Sequence, residues 1–153
     1  MPHVRNATAD DAARIGEIAR AAYSKYIARI GREPAPMLAD FEAEISAGRV
    51  VVIETAGTID GYMIAWPQTV AYFIDNLAVH PARQGHGLGR QLIDHALHEA
   101  RRHGLSAVRL YTNVAMTENL STYAHMGFVE THRSVESGFQ RVYLNLPLLN
   151  SGQ

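Results

Sequence analysis

The sequence contains no cysteine among its 153 residues. This absence excludes disulfides, thiolate metal sites and a cysteinyl acyl-enzyme. The chain also lacks an apolar run of about 18 residues, the length needed to cross a bilayer, and its first residues lack the apolar stretch of a signal peptide. We therefore expect a cytoplasmic protein with no membrane partner.

An excess of charge of one sign is also missing. The chain has 14 Lys and Arg against 15 Asp and Glu, for a formal net charge of −1. This balance predicts no nucleic-acid partner. With 47% hydrophobic and 19% charged residues, the composition is that of a globular protein, and the length predicts one domain over residues 1–153.

The most informative segment, residues 79–90, reads VHPARQGHGLGR. It follows an apolar run and precedes a helical apolar pattern that begins at Leu92. Glycine lets the backbone approach a ligand where a Cβ would obstruct it. The N–H groups of a helix's first turn lie at the positive end of its dipole. The segment therefore predicts a phosphate-binding loop.

Two well-known glycine loops do not fit this segment. A nucleoside triphosphate loop ends in Gly-Lys-Ser/Thr, but here Gly89 is followed by Arg90 and Gln91. A dinucleotide loop needs an acidic residue on the next strand, and the predicted strand 107–111 has none. The pattern Gln84-x-x-Gly87-x-Gly89 instead resembles the pyrophosphate-binding motif of the GNAT acyl-CoA N-acyltransferases.

A second segment supports the same resemblance. Residues 119–128 read NLSTYAHMGF and are similar to the Tyr-x-x-x-Gly-Phe/Tyr signature of that family. In this signature a helix ends at a glycine, here Gly127, and runs into a strand. Glycine suits the residue after a helix because a left-handed conformation is usual there.

The periodicities predict the order of elements along nearly the whole chain. They indicate a short edge strand 4–6, helices from Thr8 to about Arg29 and 37–46, a hairpin of strands 49–55 and 61–68 turning at 58–61, strand 72–79, helix 89–103, strand 107–111, helix 117–126, and a hairpin of strands 128–136 and 139–146. Strands 72–79 and 107–111 should be parallel, with a right-handed crossover.

The resemblance implies an α/β (α+β) fold. In the GNAT family this is a mixed, mostly antiparallel sheet of six to seven strands, with helices on both faces and a splayed parallel strand pair. The family's co-substrate is acetyl-CoA, and the resemblance implies no metal. The cofactor-binding residues that it implies are Leu77, Val79, Gln84, Gly85, Gly87, Leu88, Gly89, Arg90 and Asn119.

Within that set, backbone N–H groups from Gln84 to Arg90 would hold the pyrophosphate. The pantetheine arm would lie along the strand edge at Leu77 and Val79, as an added strand would. The N–H of Leu77 would donate to the thioester carbonyl. Asn119 would reach the pantetheine amides, although many family members place this asparagine seven residues before the tyrosine, where this chain has Met116. Asn113 is the other substitute.

Tyr123 is the catalytic residue that the resemblance implies, because its family role is to hydrogen-bond or protonate the CoA thiolate. A thiol pKa of about 8.5 and a tyrosine pKa of about 10 make full proton transfer uphill by about 1.5 units, or about 2 kcal/mol. We therefore expect Tyr123 to act mainly as a hydrogen-bond donor.

The attacking amine must be neutral, so a base or a water relay is needed. Asp75, on the strand before the loop, is our choice for this base, with Glu136, Glu44 and Glu42 as rivals. Without cysteine, direct attack in a ternary complex is favoured over a covalent acyl-enzyme.

The histidines of helix 89–103 do not indicate a metal. His95, His98 and His103 lie on its polar face, beside charged residues. The segment from Tyr23 to Met37 contains two arginines, Arg29 and Arg32, which would suit a small carboxylate-bearing amine.

These observations predict an N-acetyltransferase that moves an acetyl group from acetyl-CoA to a primary amine of a small metabolite. The sequence leaves open a protein amine as acceptor, a non-catalytic CoA-binding regulator, and a phosphate-binding fold for another nucleotide. It also leaves open a homodimer, which is common among GNAT relatives.

Overall fold

The computed structural model describes residues 1–149, in which strands and helices contribute similar shares of the regular structure. Over these residues the strands are β1 His3–Asn6, β2 Val50–Thr55, β3 Thr58–Pro67, β4 Ala71–Val79, β5 Ala107–Asn113, β6 Val129–Glu136 and β7 Phe139–Pro147. The α-helices are α1 Ala12–Tyr23, α2 Ile27–Ile30, α3 Phe41–Ser46, α4 Leu88–Arg102 and α5 Thr117–His125. Short 3₁₀ helices are Ala9–Asp11, Ser24–Tyr26, Ala35–Leu38 and Pro81–Arg83.

The strands form one seven-stranded sheet in the order β1-β2-β3-β4-β5-β7-β6. β4 and β5 are parallel, in a register that runs from Ala71↔Ala107 to Ile74↔Leu110. The pairs β1–β2, β2–β3, β5–β7 and β6–β7 are antiparallel. The predicted mixed sheet and its parallel pair are therefore confirmed.

The chain divides into two compact units. Among the described residues, the first unit contains Met1–Ala65 and Asp75–His95, and the second contains Trp66–Ile74 and residues 96–149. Buried aliphatic and aromatic side chains fill the first unit, among them Ile15, Ile18, Val52, Ile53 and Tyr62. In the second unit they alternate along β5 and β7, at Val108, Leu110, Val142 and Leu144. The single domain over residues 1–153 stays a prediction.

The first predicted helix is interrupted. It does not run unbroken to Arg29, because a 3₁₀ turn at Ser24–Tyr26 separates α1 from α2. The Ser24 hydroxyl donates to the carbonyl of Arg20, a local hydrogen bond that tends to bend helices. The end at Gly31 is as predicted, since this glycine adopts a left-handed φ of 88°.

The second predicted helix begins later than the sequence suggested. Met37 lies in the 3₁₀ helix Ala35–Leu38, and α3 begins only at Phe41. The Asp40 carboxylate accepts from the N–H of Ala43 at 3.1 Å. This cap fixes the start of the helix, because it satisfies an N–H that has no intrahelical partner.

The hairpin between β2 and β3 turns earlier than predicted. Its turn is formed by Ala56 and Gly57, with φ of 51° and 83°, rather than by residues 58–61. Paired positive φ values match the twist of the flanking strands. The predicted turn between β6 and β7 is confirmed, with Ser137 and Gly138 at φ of 51° and 80°.

A buried carboxylate after β1 makes stability depend on pH. Asp11 accepts from Arg5 Nη1 at 2.9 Å and from the Thr8 N–H at 2.8 Å. The hydrogen bond from Arg5 is the main cause that lowers the pKa of Asp11. A carboxylate whose pKa is lower in the folded state stabilises the fold above its unfolded pKa, and this contribution is lost as the pH falls through the folded value.

We therefore expect the free energy of unfolding to decrease as the pH falls below about 4, the unfolded pKa of aspartate. Asp11→Asn should lower it at pH 7 and flatten this acid limb in urea titrations between pH 3 and 7. Asp94→Asn, at an exposed position, controls for the loss of one carboxylate. An acid limb of unchanged steepness in Asp11→Asn would contradict the assignment.

Candidate functional site

The segment between β4 and α4 is held in shape by its own side chains. His80 Nδ1 accepts from the Ala82 N–H at 3.1 Å, and the Arg83 N–H donates to the His80 carbonyl at 2.8 Å. The Gln84 side chain donates through Nε2 to the Val79 carbonyl at 3.1 Å. The Gln84 amide thus fixes the loop from inside, a role that the sequence did not indicate.

Two glycines give this loop a shape that other residues would strain. Gly85 and Gly87 have φ of 84° and 78°, in the region that residues with a Cβ rarely adopt. A Cβ added at either position would meet no heavy atom within 4 Å. The space beside the exposed backbone is therefore open, which is the fit that a phosphate group requires.

The third glycine is under no such constraint. Gly89 has no positive φ, and a Cβ there would lie 3.9 Å from Val79 Cγ2, an ordinary contact. Its place within α4 explains the difference. The Gln91 N–H donates to the Gly87 carbonyl at 3.1 Å, so the N–H groups of Leu88, Gly89 and Arg90 precede the helical ladder.

The start of α4 therefore combines an open loop with backbone donors at the positive end of a dipole. The Leu88 side chain is buried at 2% exposure and anchors this helix start in the first unit. Leu88 thus packs through its side chain and offers only its N–H to a ligand. The arrangement can bind an anion such as a diphosphate.

An ion pair that the sequence analysis missed ties this loop to β3. The Asp60 carboxylate is nearly fully buried, and its Oδ2 lies 3.4 Å from Arg83 Nε. The Asp60 carbonyl also accepts from the His80 N–H at 2.8 Å. An aspartate inside the apolar strand TIDGYMIAW was the available signal, because buried carboxylates need a partner.

The end of β4 is fixed by a second set of buried polar contacts in the same unit. The Asn76 side chain accepts from the Tyr62 hydroxyl at 2.8 Å and donates to the Pro36 carbonyl at 3.0 Å. The Leu77 carbonyl accepts from the Tyr23 hydroxyl at 2.5 Å. These bonds hold the strand segment that contains the predicted oxyanion donor, and sequence reasoning named none of their side chains for this purpose.

The predicted residues of the first unit thus lie on one continuous strand-loop-helix segment. Val79 is buried, whereas Asp75 and Leu77 are half-buried on β4. The role of Asp75 as a base stays a prediction.

Its rivals differ in their surroundings. Hydrogen bonds from Ser134 and Tyr143, together with the charge of Arg141, lower the pKa of Glu136, which makes it a weaker base. Glu44 Oε2 lies 3.8 Å from Arg49 Nη1, and the Glu42 side chain is exposed.

Tyr123 lies in the second unit, on α5. It is 8% exposed, and its ring meets that of Phe128 edge to face, with centroids 5.4 Å apart. Gly127 has φ of 101°, and the Phe128 N–H donates back to the Tyr123 carbonyl at 3.1 Å. The glycine therefore ends the helix as predicted and brings Phe128 under the tyrosine ring.

The two candidate asparagines flank the start of α5. Asn119 is half-buried, one turn before Tyr123, and its Nδ2 lies 3.6 Å from the sulfur of Met116. Asn113 Oδ1 accepts from the Ala115 N–H at 2.9 Å and so shapes the turn before the helix. The role of Asn119 in cofactor binding stays a prediction.

The histidines of the predicted helix 89–103 have ordinary surroundings. His98 is exposed, and His103 stacks on Tyr72 with centroids 6.3 Å apart. Within residues 1–149, no group of three or more His, Asp or Glu could hold a metal ion. Nor does any helix in this range have the length and apolar character to span a membrane, since the longest, α4, has 15 residues.

Comparison with known proteins gives one family and one fold. A sequence model of the acetyltransferase (GNAT) family matches residues 13–128. The chain is 42% identical over 59 residues to a mycothiol acetyltransferase of Nocardia farcinica. That stretch is 39% of this chain but spans only 20% of the length of the relative.

Two solved structures share the fold over nearly their whole length. The PaiA N-acetyltransferase of Thermoplasma acidophilum, in complex with coenzyme A, has a TM-score of 0.75 at 16% identity, covering 94% of this chain and 98% of that chain. The ribosomal-protein-S18-alanine N-acetyltransferase of Escherichia coli has a TM-score of 0.69 at 18% identity, covering 100% and 99%. At these identities the likeness is one of fold.

Proposed function

Because this chain belongs to the GNAT acetyltransferase family, we propose that it is a cytoplasmic enzyme that transfers an acetyl group from acetyl-CoA to a primary amine of a small metabolite. The observation that carries this proposal is the loop before α4. Gly85 and Gly87 hold it open beside backbone N–H groups at a helix start. The PaiA structure, which contains coenzyme A, supports CoA as the ligand. The similarity to a mycothiol acetyltransferase over 59 residues supports a small-molecule acceptor.

In this proposal, backbone groups do most of the binding. The N–H groups of residues 84–90 hold the diphosphate, and β4 aligns the pantetheine arm at Leu77 and Val79. The Leu77 N–H stabilises negative charge on the thioester oxygen. The hydrogen bond from Tyr23 to the Leu77 carbonyl supports this role, because it restrains the strand at the residue that must stay aligned.

The side chains that we assign to the reaction are Tyr123 and Asp75. Asp75 takes the proton of the amine, directly or through water. The neutral amine attacks the thioester carbonyl. As the tetrahedral intermediate collapses, the C–S bond breaks, and the nitrogen loses a second proton that neutralises the departing thiolate. Tyr123 donates a hydrogen bond to the departing thiolate of CoA. The absence of cysteine excludes a cysteinyl intermediate and favours direct attack in one ternary complex.

Two measurements test the proposal. CoA at 100 times its dissociation constant should raise the free energy of unfolding by about 2.7 kcal/mol, whereas ATP and NAD should not. Release of free CoA thiol from acetyl-CoA should depend on the amine in a panel of amino acids, amino sugars, polyamines and peptides. Stabilisation by ATP or NAD but not CoA would end the proposal. Stabilisation by CoA without turnover for any acceptor would favour a CoA-binding regulator, and turnover of peptides alone would favour a protein acceptor.

A further inference from the structure

A continuous series of aromatic rings crosses the sheet in the second unit. We call it the aromatic row, and it takes one ring from each of five adjacent strands: Trp66 on β3, Phe73 on β4, Tyr111 on β5, Tyr143 on β7 and His132 on β6. Successive ring centroids lie 5.4, 5.9, 5.7 and 4.4 Å apart. These spacings are those of interacting aromatic pairs.

The aromatic row lies on the face of the sheet opposite the core of this unit. Along β5 and β7 its tyrosines alternate with buried aliphatic residues, Val108, Leu110, Val142 and Leu144. The row itself is half-buried in four of its members and exposed at His132. A sheet face directed away from the core usually carries polar side chains. A row of partly exposed rings there indicates a binding surface.

Arg141 stands beside the middle of the row. Its guanidinium carbon lies 4.1 Å from the Tyr111 ring centroid, and its Nη1 donates to Glu136 Oε1 at 2.9 Å. Its side chain is 17% exposed, so a narrow ligand can reach it. Its Nε is buried without a hydrogen-bond partner in the part of the chain that the structure describes. A guanidinium has five N–H donors, so the contacts with Glu136 and with the Tyr143 hydroxyl leave others for an anion.

The charge of Glu136 offsets that of Arg141, but the bond between them uses Nη1 alone and leaves much of the guanidinium fork for a ligand. The Glu136 carboxylate accepts from Ser134 and Tyr143 as well as from Arg141, so its charge is stabilised by three donors. A second arginine, Arg109, pairs in register with Phe73 and donates to the neutral amide of Asn145 at 2.9 Å. Arg109 thus adds a positive charge beside a neutral partner, and Arg141 adds N–H donors, which together favour the carboxylate of a ligand.

We propose that the aromatic row and Arg141 bind the acceptor of the acetyl group, and that this acceptor is an aromatic amino acid or a similar planar amine with a carboxylate. This inference rests on the proposed function and names its substrate class. The acceptor's ring packs against the rings of the row, and its carboxylate takes the donors of Arg141 that Glu136 leaves. The recessed Arg141 suits a small ligand, because the flat face of a second protein would not reach it.

Trp66 is the single tryptophan of the chain, so its fluorescence can be used to measure ligand binding when no acetyl transfer takes place. The ligands for this titration are phenylalanine and those analogues of tyrosine and tryptophan that do not absorb at the excitation wavelength. Their binding should change the fluorescence emission of Trp66 until the site is saturated. Phenylalaninamide, which lacks the carboxylate, and cyclohexylalanine, which lacks the aromatic ring, should each bind about 10- to 100-fold more weakly than phenylalanine. In turnover assays the same order should appear in kcat/KM.

Two arginine variants separate recognition from general charge. Arg141→Gln should remove the discrimination between phenylalanine and phenylalaninamide but keep that between phenylalanine and cyclohexylalanine. Arg133 forms an exposed ion pair, with its Nε 3.0 Å from Glu130 Oε2. Arg133→Gln should keep both discriminations, against phenylalaninamide and against cyclohexylalanine. Tyr111→Leu should reduce the preference for the aromatic ring. Stabilisation of each variant by CoA shows that it is folded.

The outcomes separate this inference from the proposed function. If other amines are acetylated while the aromatic amino acids neither bind nor react, the acceptor assignment is wrong and the acetyltransferase stands. If phenylalanine binds in the predicted order but no amine is acetylated, the site stands and the proposed function fails. Equal effects of Arg141→Gln and Arg133→Gln would overturn the role of Arg141.

Discussion

We expect Tyr123→Phe to lower kcat for acetyl transfer by about 10- to 150-fold, with little change in the KM for acetyl-CoA. The factor corresponds to one hydrogen bond to a charged group, about 1.5–3 kcal/mol. Phenylalanine keeps the ring that meets Phe128 edge to face, so packing is preserved. The variant loses only the hydroxyl that we assign to the departing thiolate. Steady-state kinetics with acetyl-CoA and the best acceptor of the panel measure the effect.

Tyr72→Phe is the matched control for this experiment. Tyr72 is also 8% exposed in the second unit, where it stacks on His103. The Tyr72→Phe variant loses the hydroxyl of a buried tyrosine to which we assign no role in the reaction, so its kcat should stay close to that of the wild type. Equal kcat values for the two variants and the wild type would show that Tyr123 serves packing alone.

The second large effect concerns the loop. Gly87→Ala should weaken CoA binding about tenfold or more, whereas Gly89→Ala should bind CoA nearly as well as the wild type. At Gly87, with φ of 78°, a side chain costs about 1–2 kcal/mol of backbone strain. Its Cβ would also occupy the open space where we place the diphosphate. At Gly89 an added Cβ makes only an ordinary contact.

Calorimetric titration with CoA and denaturation without it separate the two contributions. Strain alone would lower the free energy of unfolding of Gly87→Ala and leave the CoA affinity of the folded protein unchanged. Loss of affinity beyond that of Gly89→Ala is what phosphate binding by the loop requires. If Gly89→Ala proves the more damaging variant, the diphosphate does not lie where we place it.

The sequence predicted several features that depend on local backbone geometry, although it placed the turn between β2 and β3 too late. Gly31, Gly127 and the pair Ser137–Gly138 marked real chain reversals, because positive φ is accessible to few residues. The predicted helix bounds were wrong where a short polar side chain forms a hydrogen bond with the backbone that the hydrophobic pattern does not show. Ser24 and Asp40 form local hydrogen bonds that change where helices break and begin, and hydrophobic periodicity does not report such bonds.

The sequence could not show which polar side chains meet. The bond from Asn76 to Pro36 joins residues 40 positions apart, and that from Tyr23 to Leu77 joins residues 54 apart. Asp60 reads as an ordinary charge near a turn until Arg83 is found beside it. The aromatic row likewise takes each ring from a different strand, so only the register of the sheet places its members side by side.

By itself, then, the sequence determined the strand-loop-helix that can hold a diphosphate, the helix end at Gly127 and the family to which these belong. Each depends on a few consecutive residues, and the conformational freedom of glycine is a property of single positions. The tertiary structure alone decided what holds β4 in place and which face of the sheet carries arginine among aromatic rings. Those arrangements depend on contacts between distant segments, which form only when burial of the core brings the strands into register.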